Sequence, residues 1–241
     1  MHGEPVRVCH WAGCRDWLAT LMRQLLQGVR AFHEAVRSDE SLRGSYQRLA
    51  AGQRPDTLYV GCSDSRVVPH LLSTAEPGDL FVVRNVGNMI PPASARGVSI
   101  GDRSEAAVLE YAILHLKVRD VVLCGHSSCG AMAALHDGID GATNPNLAEW
   151  LRLGMPALDE ACFPPSVGEE RTPRDATSQR NVLQQLRHVR TYPFVAEALD
   201  AGRLRLHGWW FDIEEPVVRA FHESSQRFLP IELAYAQSDF G

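Results

Sequence analysis

Apolar residues recur at helical spacing between positions 18 and 36 (Leu18, Leu21, Met22, Leu25, Leu26, Val29, Phe32, Val36), which predicts an amphipathic N-terminal helix. The pattern then changes. Residues 57–61, a β-branched and aromatic run after Pro55, read as a buried strand, and residues 79–84, introduced by the turn Glu76-Pro77-Gly78, read as a second. Residues 118–124 make a third strand and residues 203–209 a final one. Between them, Asp102 stands three residues before Glu105, the spacing of a capping box, and opens a mostly apolar helix running to about residue 116. Gly125 starts a tight turn into a helix over 129–135, and further helices are expected over 177–190 and after Pro193. Residues 88–101 read as a loop and 163–175 as a polar connection. Strands that alternate with helices imply parallel pairing through right-handed crossovers. The expected fold is therefore α/β, a mostly parallel sheet flanked by helices, as a single domain with an N-terminal helical arm. Residues 1–20 form a tail without an assigned role, and 21–241 form the α/β domain.

In such sheets ligands bind beyond the carboxyl ends of the strands, and two unusual segments fall there. Gly61-Cys62-Ser63-Asp64-Ser65-Arg66 ends the first strand, and Gly125-His126-Ser127-Ser128-Cys129-Gly130 ends the third. Alone, each also fits a packed strand-end cysteine or a glycine-rich turn. Jointly, Cys62, His126 and Cys129 make a borderline-soft donor set that suits zinc, with a fourth position left for water or substrate. Asp64 can fill that position or stand beside it. As an ionised carboxylate it only accepts hydrogen bonds, and Arg66 forms the planar fork that can hold it away from a metal.

Cys-Ser-Asp-Ser-Arg at 62–66, Arg84-Asn85-Val86-Gly87-Asn88, Glu110-Tyr111-Ala112 and Gly-His-Ser-Ser-Cys-Gly at 125–130 resemble the motif series of the β-class carbonic anhydrases. The likeness continues through Asn181-Val182, Thr191-Tyr192-Pro193 and Leu206-His207-Gly208-Trp209, covers roughly residues 21–233, and is greatest to the bacterial cyanate-associated and carboxysomal branches. The resemblance implies one Zn²⁺ per chain on Cys62, His126 and Cys129, with Asp64 and Arg66 as a switching pair and Asp64 as fourth ligand in a closed state. It implies reversible hydration of carbon dioxide to bicarbonate and a proton by attack of a zinc-bound hydroxide. It also implies that Gln53 hydrogen-bonds substrate, that Phe81, Val86 and Tyr111 form apolar walls, and that the Gly130 N–H helps bind the anion. A homodimer or a higher even-numbered homo-oligomer is implied, with some wall residues supplied by the neighbour. Some family members carry a non-catalytic bicarbonate pocket; the matching positions here, Tyr59, Arg84 and Phe211, lack donors it would need.

Composition narrows the alternatives. With 24 basic and 29 acidic residues the formal net charge is -5, without the basic excess of a nucleic-acid footprint. No apolar stretch approaches the ~18 residues of a membrane span, and residues 1–14 lack the apolar centre of a secretory signal, so a cytoplasmic protein is expected. Six scattered cysteines in 241 residues do not make a disulfide scaffold. Gly125-His126-Ser127 begins like a nucleophile elbow, but Cys129 stands where its second glycine is required. A redox motif would place two cysteines two residues apart in one turn, and neither Cys62 nor Cys129 has such a neighbour. The remaining rival is a catalytically silent zinc-binding paralogue kept for assembly or regulation. Cys9, His10 and Cys14, with His2, offer a second metal site or an unstructured tail.

Overall fold

The computed structural model describes residues 12–163 and 172–236, with side chains from residue 21 onward, and divides into two units, Met1–Gln53 and Arg54–Gly241. In the first unit, helix α1 spans Ala12–Ser38, longer than the apolar periodicity requires, and α2 spans Glu40–Leu49. Asp39 separates them because its carboxylate caps α2, accepting from the Leu42 N–H at 3.0 Å. Phe32 packs edge-on against Tyr46 with centroids 5.5 Å apart. The apolar stripe Leu21, Met22, Leu25, Leu26, Val29 and Phe32 is exposed. Cys9, His10 and His2 lie outside the described residues, and nothing is described of the Cys14 side chain.

The second unit is built on one sheet of six strands: β1 Thr57–Cys62, β2 Leu80–Asn85, β3 Asp120–His126, β4 Arg205–Asp212, β5 Val217–His222 and β6 Arg227–Pro230. Their order is β2-β1-β3-β4-β5-β6, the first four parallel and the last two joined antiparallel. Strand periodicity sorts the faces. Leu58, Val60, Val121, Leu123 and Trp210 pack on one side with Leu109, Val182, Val189 and Val195, while Tyr59, Val122, Cys124 and Phe211 pack on the other with Val67. The short helix α3 (Pro69–Ser73) follows β1, and α4 (Ser104–Glu110) runs on as a π-helical turn, Tyr111–Leu116, before Lys117 closes it with φ of 59°. Helices α5 (Gly130–Asp137), α6 (Pro145–Leu151), α7 (Pro173–Arg190), α8 (Pro193–Asp200) and α9 (Ile231–Ala234) complete the unit. No helix among the described residues is long and apolar enough to cross a membrane.

Four expectations are corrected. The strand ending the parallel set is not the last, because an antiparallel pair, β5 and β6, follows it. The connection expected over 163–175 contains the start of α7: Thr172 caps it, and Pro173 sits where its missing N–H costs nothing. Helices α2, α3, α6 and α9 stand outside the elements expected from the sequence. The reciprocal capping box at α4 does not form. Asp102 Oδ1 accepts instead from the Ser104 N–H at 2.7 Å, and Glu105 turns inward to accept from Asn85 Nδ2 at 3.2 Å.

One topological feature positions the site. The chain leaves β1 for β2 on one side and returns to β3 on the other, so the loops after β1 and β3 diverge from adjacent strand ends. This switch point leaves a crevice outside the carboxyl ends.

Candidate metal centre

Cys62 closes β1 and His126 closes β3, two strands whose pairing runs through Gly61 and Cys124. Cys129 is delivered by a tight turn in which Ser128 takes a left-handed φ of 53°, and it stands at the N-cap position of α5 without a side-chain capping bond. One ligand atom from each of Cys62, His126 and Cys129 lies within 4.8 Å of the others, and all three residues are buried. Gly125 has no side chain for a packing reason. A Cβ there would fall 2.7 Å from Val182 Cγ2, where α7 crosses β3.

The donors are prepared for a cation. His126 Nδ1 faces the Ser127 carbonyl at 2.9 Å, so the ring proton sits on Nδ1 and Nε2 keeps its lone pair. Nε2 is buried and has no hydrogen-bond partner among the described residues. The His126 carbonyl is held by Ser178 Oγ at 2.8 Å, itself an acceptor from Trp210 Nε1 at 3.2 Å. The Cys62 thiol is pulled down to about 4, first by the hydrogen bond from Cys129 and then, against burial, by the Asp64 and Gly87 N–H groups. Cys129 is pushed up by donating to Cys62 and by burial, while the N–H groups of Ala131 and Met132 oppose the shift. Two sulfurs sharing one proton beside an imidazole lone pair fit a thiophilic divalent ion, which would take both as thiolates.

Asp64 stands beside this group, its Oδ2 3.9 Å from His126 Nε2. Arg66 grips it through Nε to Oδ1 at 2.9 Å and Nη2 to Oδ2 at 2.7 Å, and the Arg66 backbone N–H adds a bond to Oδ1 at 3.0 Å. These bonds hold the Asp64 carboxyl well below the usual carboxylate range. Arg66 Nη2 also donates to the Ser128 carbonyl at 3.1 Å, tying the loop after β1 to the loop after β3. Arg84, on β2, donates to the carbonyls of Cys62 at 3.0 Å and Asp64 at 2.7 Å. Its guanidinium thus braces the metal loop.

The other positions singled out in the sequence are distributed more widely. Val86 is exposed, its carbonyl accepts from Trp150 Nε1 at 2.7 Å, and it precedes the Gly87 N–H that serves Cys62. Gly130 begins α5 directly after Cys129, with open space where a Cβ would stand. Phe81 lies against Tyr111 at 5.7 Å, and Tyr111 stacks on His115 at 5.6 Å. Gln53 belongs to the first unit.

Sequence reading passed over Ser127, Asp175, Ser178 and Asp212. Asp175 Oδ1 accepts from the Ser128 N–H at 2.8 Å; Ser127 Oγ donates to Asp212 Oδ1 at 3.4 Å and accepts from the Ile213 N–H at 2.8 Å. A signal existed for Asp175, since Thr172-Pro173-Arg174-Asp175 carries the spacing of a helix cap.

The family model for carbonic anhydrase matches residues 57–218, a span that begins with β1 and includes all three donors. Carbonic anhydrase of Pseudomonas aeruginosa is 40% identical over 212 residues, covering 87% of this chain and 92% of that protein. Carbonic anhydrase 1 of Escherichia coli O157:H7 is 39% identical over 217 residues, covering 87% and 92%. Among solved structures, the β-carbonic anhydrase CcaA superposes with a TM-score of 0.75 at 34% identity, over 87% of this chain and 98% of that one. One of two tetrameric β-carbonic anhydrases from Sordaria macrospora gives 0.62 at 32% identity, over 79% and 96%. Matched by the family model over residues 57–218 and by relatives and solved folds over most of its length, the chain belongs to the β-class carbonic anhydrases.

Proposed function

We propose that the protein hydrates carbon dioxide reversibly to bicarbonate and a proton, using Zn²⁺ held by Cys62, His126 and Cys129. The observation that carries this reading is the convergence of two sulfurs and an unpartnered imidazole nitrogen within 4.8 Å, beside a carboxylate already paired to an arginine. Bound zinc would supply the Lewis acidity that makes a coordinated water acidic enough to act near neutral pH.

The chain's own groups do the rest. Asp64, an acceptor only, takes the nucleophile's remaining proton in a hydrogen bond and so turns an oxygen lone pair toward carbon dioxide. Arg66 keeps that carboxylate from becoming a fourth ligand. The Gly130 N–H at the start of α5 receives the developing anion, and Val86, Phe81 and Tyr111 make apolar walls that favour the uncharged gas. Because the two thiolates donate charge to the metal, activity rises on the alkaline side.

The active assembly is a homodimer or a larger even-numbered homo-oligomer in which some wall residues come from the neighbour. The exposure of Tyr111 and Val86 in the isolated chain supports this. The free thiols suit a reducing, cytoplasmic setting. Stopped-flow hydration of carbon dioxide, measured beside zinc content, tests the reading. One zinc per chain with a rate that climbs toward alkaline pH is expected. One zinc per chain with no hydration at alkaline pH would overturn it and favour the silent paralogue.

A further inference from the structure

The geometry points to Asp175 as a positioning residue for the Asp64–Arg66 pair, acting through the backbone of Ser128. Ser128 is held at φ 53°, a left-handed conformation that an L residue other than glycine leaves unless something fixes it. Its peptide groups are fixed at both ends. The Ser128 N–H donates to Asp175 Oδ1 at 2.8 Å, and the Ser128 carbonyl accepts from Arg66 Nη2 at 3.1 Å. That same Nη2 is 2.7 Å from Asp64 Oδ2. A continuous path of hydrogen bonds therefore leads from α7 to the carboxylate beside the metal group.

Asp175 is itself immobilised. It is buried, its Oδ2 accepts from Thr172 Oγ1 at 2.8 Å, and its N–H donates to the same hydroxyl at 3.1 Å. It lies in the first turn of an 18-residue helix, where the free N–H groups favour a negative charge. The neighbouring Ser127 is anchored separately by Asp212 and the Ile213 N–H. Removing Asp175 therefore frees one peptide without dissolving the turn. Ser128 relaxes toward an ordinary φ, its carbonyl swings off Arg66, and the guanidinium loses the anchor that fixes where it holds Asp64.

This role rests on the function proposed above, and two kinds of measurement separate the two. In zinc-loaded protein, Asp175→Ser keeps a small capping group too short to reach Ser128, Asp175→Asn keeps the acceptor, and Thr172→Ala removes the hydroxyl bonded to Asp175 Oδ2 while leaving Asp175 Oδ1 to accept from the Ser128 N–H. We expect Asp175→Ser to lower kcat about 10–100-fold, the usual cost of losing a group that orients the residues around a metal, with KM changed less. Asp175→Asn should restore most of the loss, and Thr172→Ala should lower the thermal midpoint while keeping kcat. The ¹H–¹⁵N resonance of the Ser128 amide should move upfield in Asp175→Ser and stay in place in Asp175→Asn. Wild-type kcat in Asp175→Ser, an equal loss in Asp175→Asn, or a Thr172→Ala loss as large as that of Asp175→Ser would overturn the relay. An unmoved Ser128 amide in Asp175→Ser would overturn it too, even if the wild type proved inactive toward carbon dioxide and the proposed function fell.

Discussion

Arg66 holds Asp64 with two side-chain hydrogen bonds, 2.9 and 2.7 Å long, and one nitrogen of the same guanidinium reaches the Ser128 carbonyl 62 positions away. The carboxylate is therefore kept beside the Cys62–His126–Cys129 group without belonging to it. Arg66→Ala should retain metal, because Arg66 hydrogen-bonds Asp64 and the Ser128 carbonyl but none of the three donor side chains, yet lose turnover by about 10²-fold as Asp64 leaves its position. Zinc analysis and stopped-flow rates on the same preparation check this. Wild-type rates with normal zinc would refute it.

Arg84 acts on the ligands themselves, since it clamps the carbonyls of Cys62 and Asp64 from the adjacent strand. Arg84→Ala should weaken zinc binding about 10–100-fold, read by competition with a chelator. Unchanged affinity would show that the loop after β1 holds its shape unaided.

Far from the centre, burial raises the Asp120 carboxyl, but hydrogen bonds from His207 at 2.8 Å and Arg205 at 2.7 and 2.8 Å outweigh it and bring the group to about 2. A carboxyl lowered in the folded state stabilises fully above its unfolded value near ~4 and loses that contribution as pH falls through about 2. Asp120→Asn should therefore cost roughly 1–2 kcal/mol at neutral pH, less than the shift alone implies because Arg205 is half exposed. The deficit should shrink between about pH 4 and 2. Urea unfolding across that range measures it, and a deficit independent of pH would contradict the assignment.

At Gly125, where a Cβ would stand 2.7 Å from Val182 Cγ2, Ala should push α7 off β3 beside His126 and cost roughly 1–3 kcal/mol. Thermal unfolding at fixed zinc content reads the loss. A neutral substitution would mean that Val182 yields without moving the helix.

The parallel core was legible because its strands are short apolar runs that end in chemically unusual loops, and the metal group followed from those loops. Helix α7 was only half legible for a physical reason. Asp175, Ser178, Gln179, Asn181, Gln185 and His188 are all buried, so the face it turns inward is polar and leaves no apolar period at its start. Apart from Gln179, those residues bind backbone, as Asn181 Nδ2 does to the Gly87 carbonyl at 3.0 Å and Gln185 Oε1 does to the Ile90 N–H at 2.8 Å. Partners more than ninety positions away cannot be read from local spacing. The antiparallel pair β5 and β6 escaped notice because Arg219, His222 and Arg227 interrupt its apolar residues. The π-helical turn at Tyr111–Leu116 has no sequence signature distinct from a regular helix.

X-ray absorption at the zinc edge of the purified, zinc-loaded protein tests the central claim most directly, because it counts the atoms around the ion without relying on turnover. Two sulfurs, one imidazole nitrogen and one light-atom ligand are expected, with Cys62→Ser reducing the sulfur count to one. A shell of any other sulfur count, or a wild-type shell that Cys62→Ser leaves unchanged, would contradict a metal shared between the ends of β1 and β3.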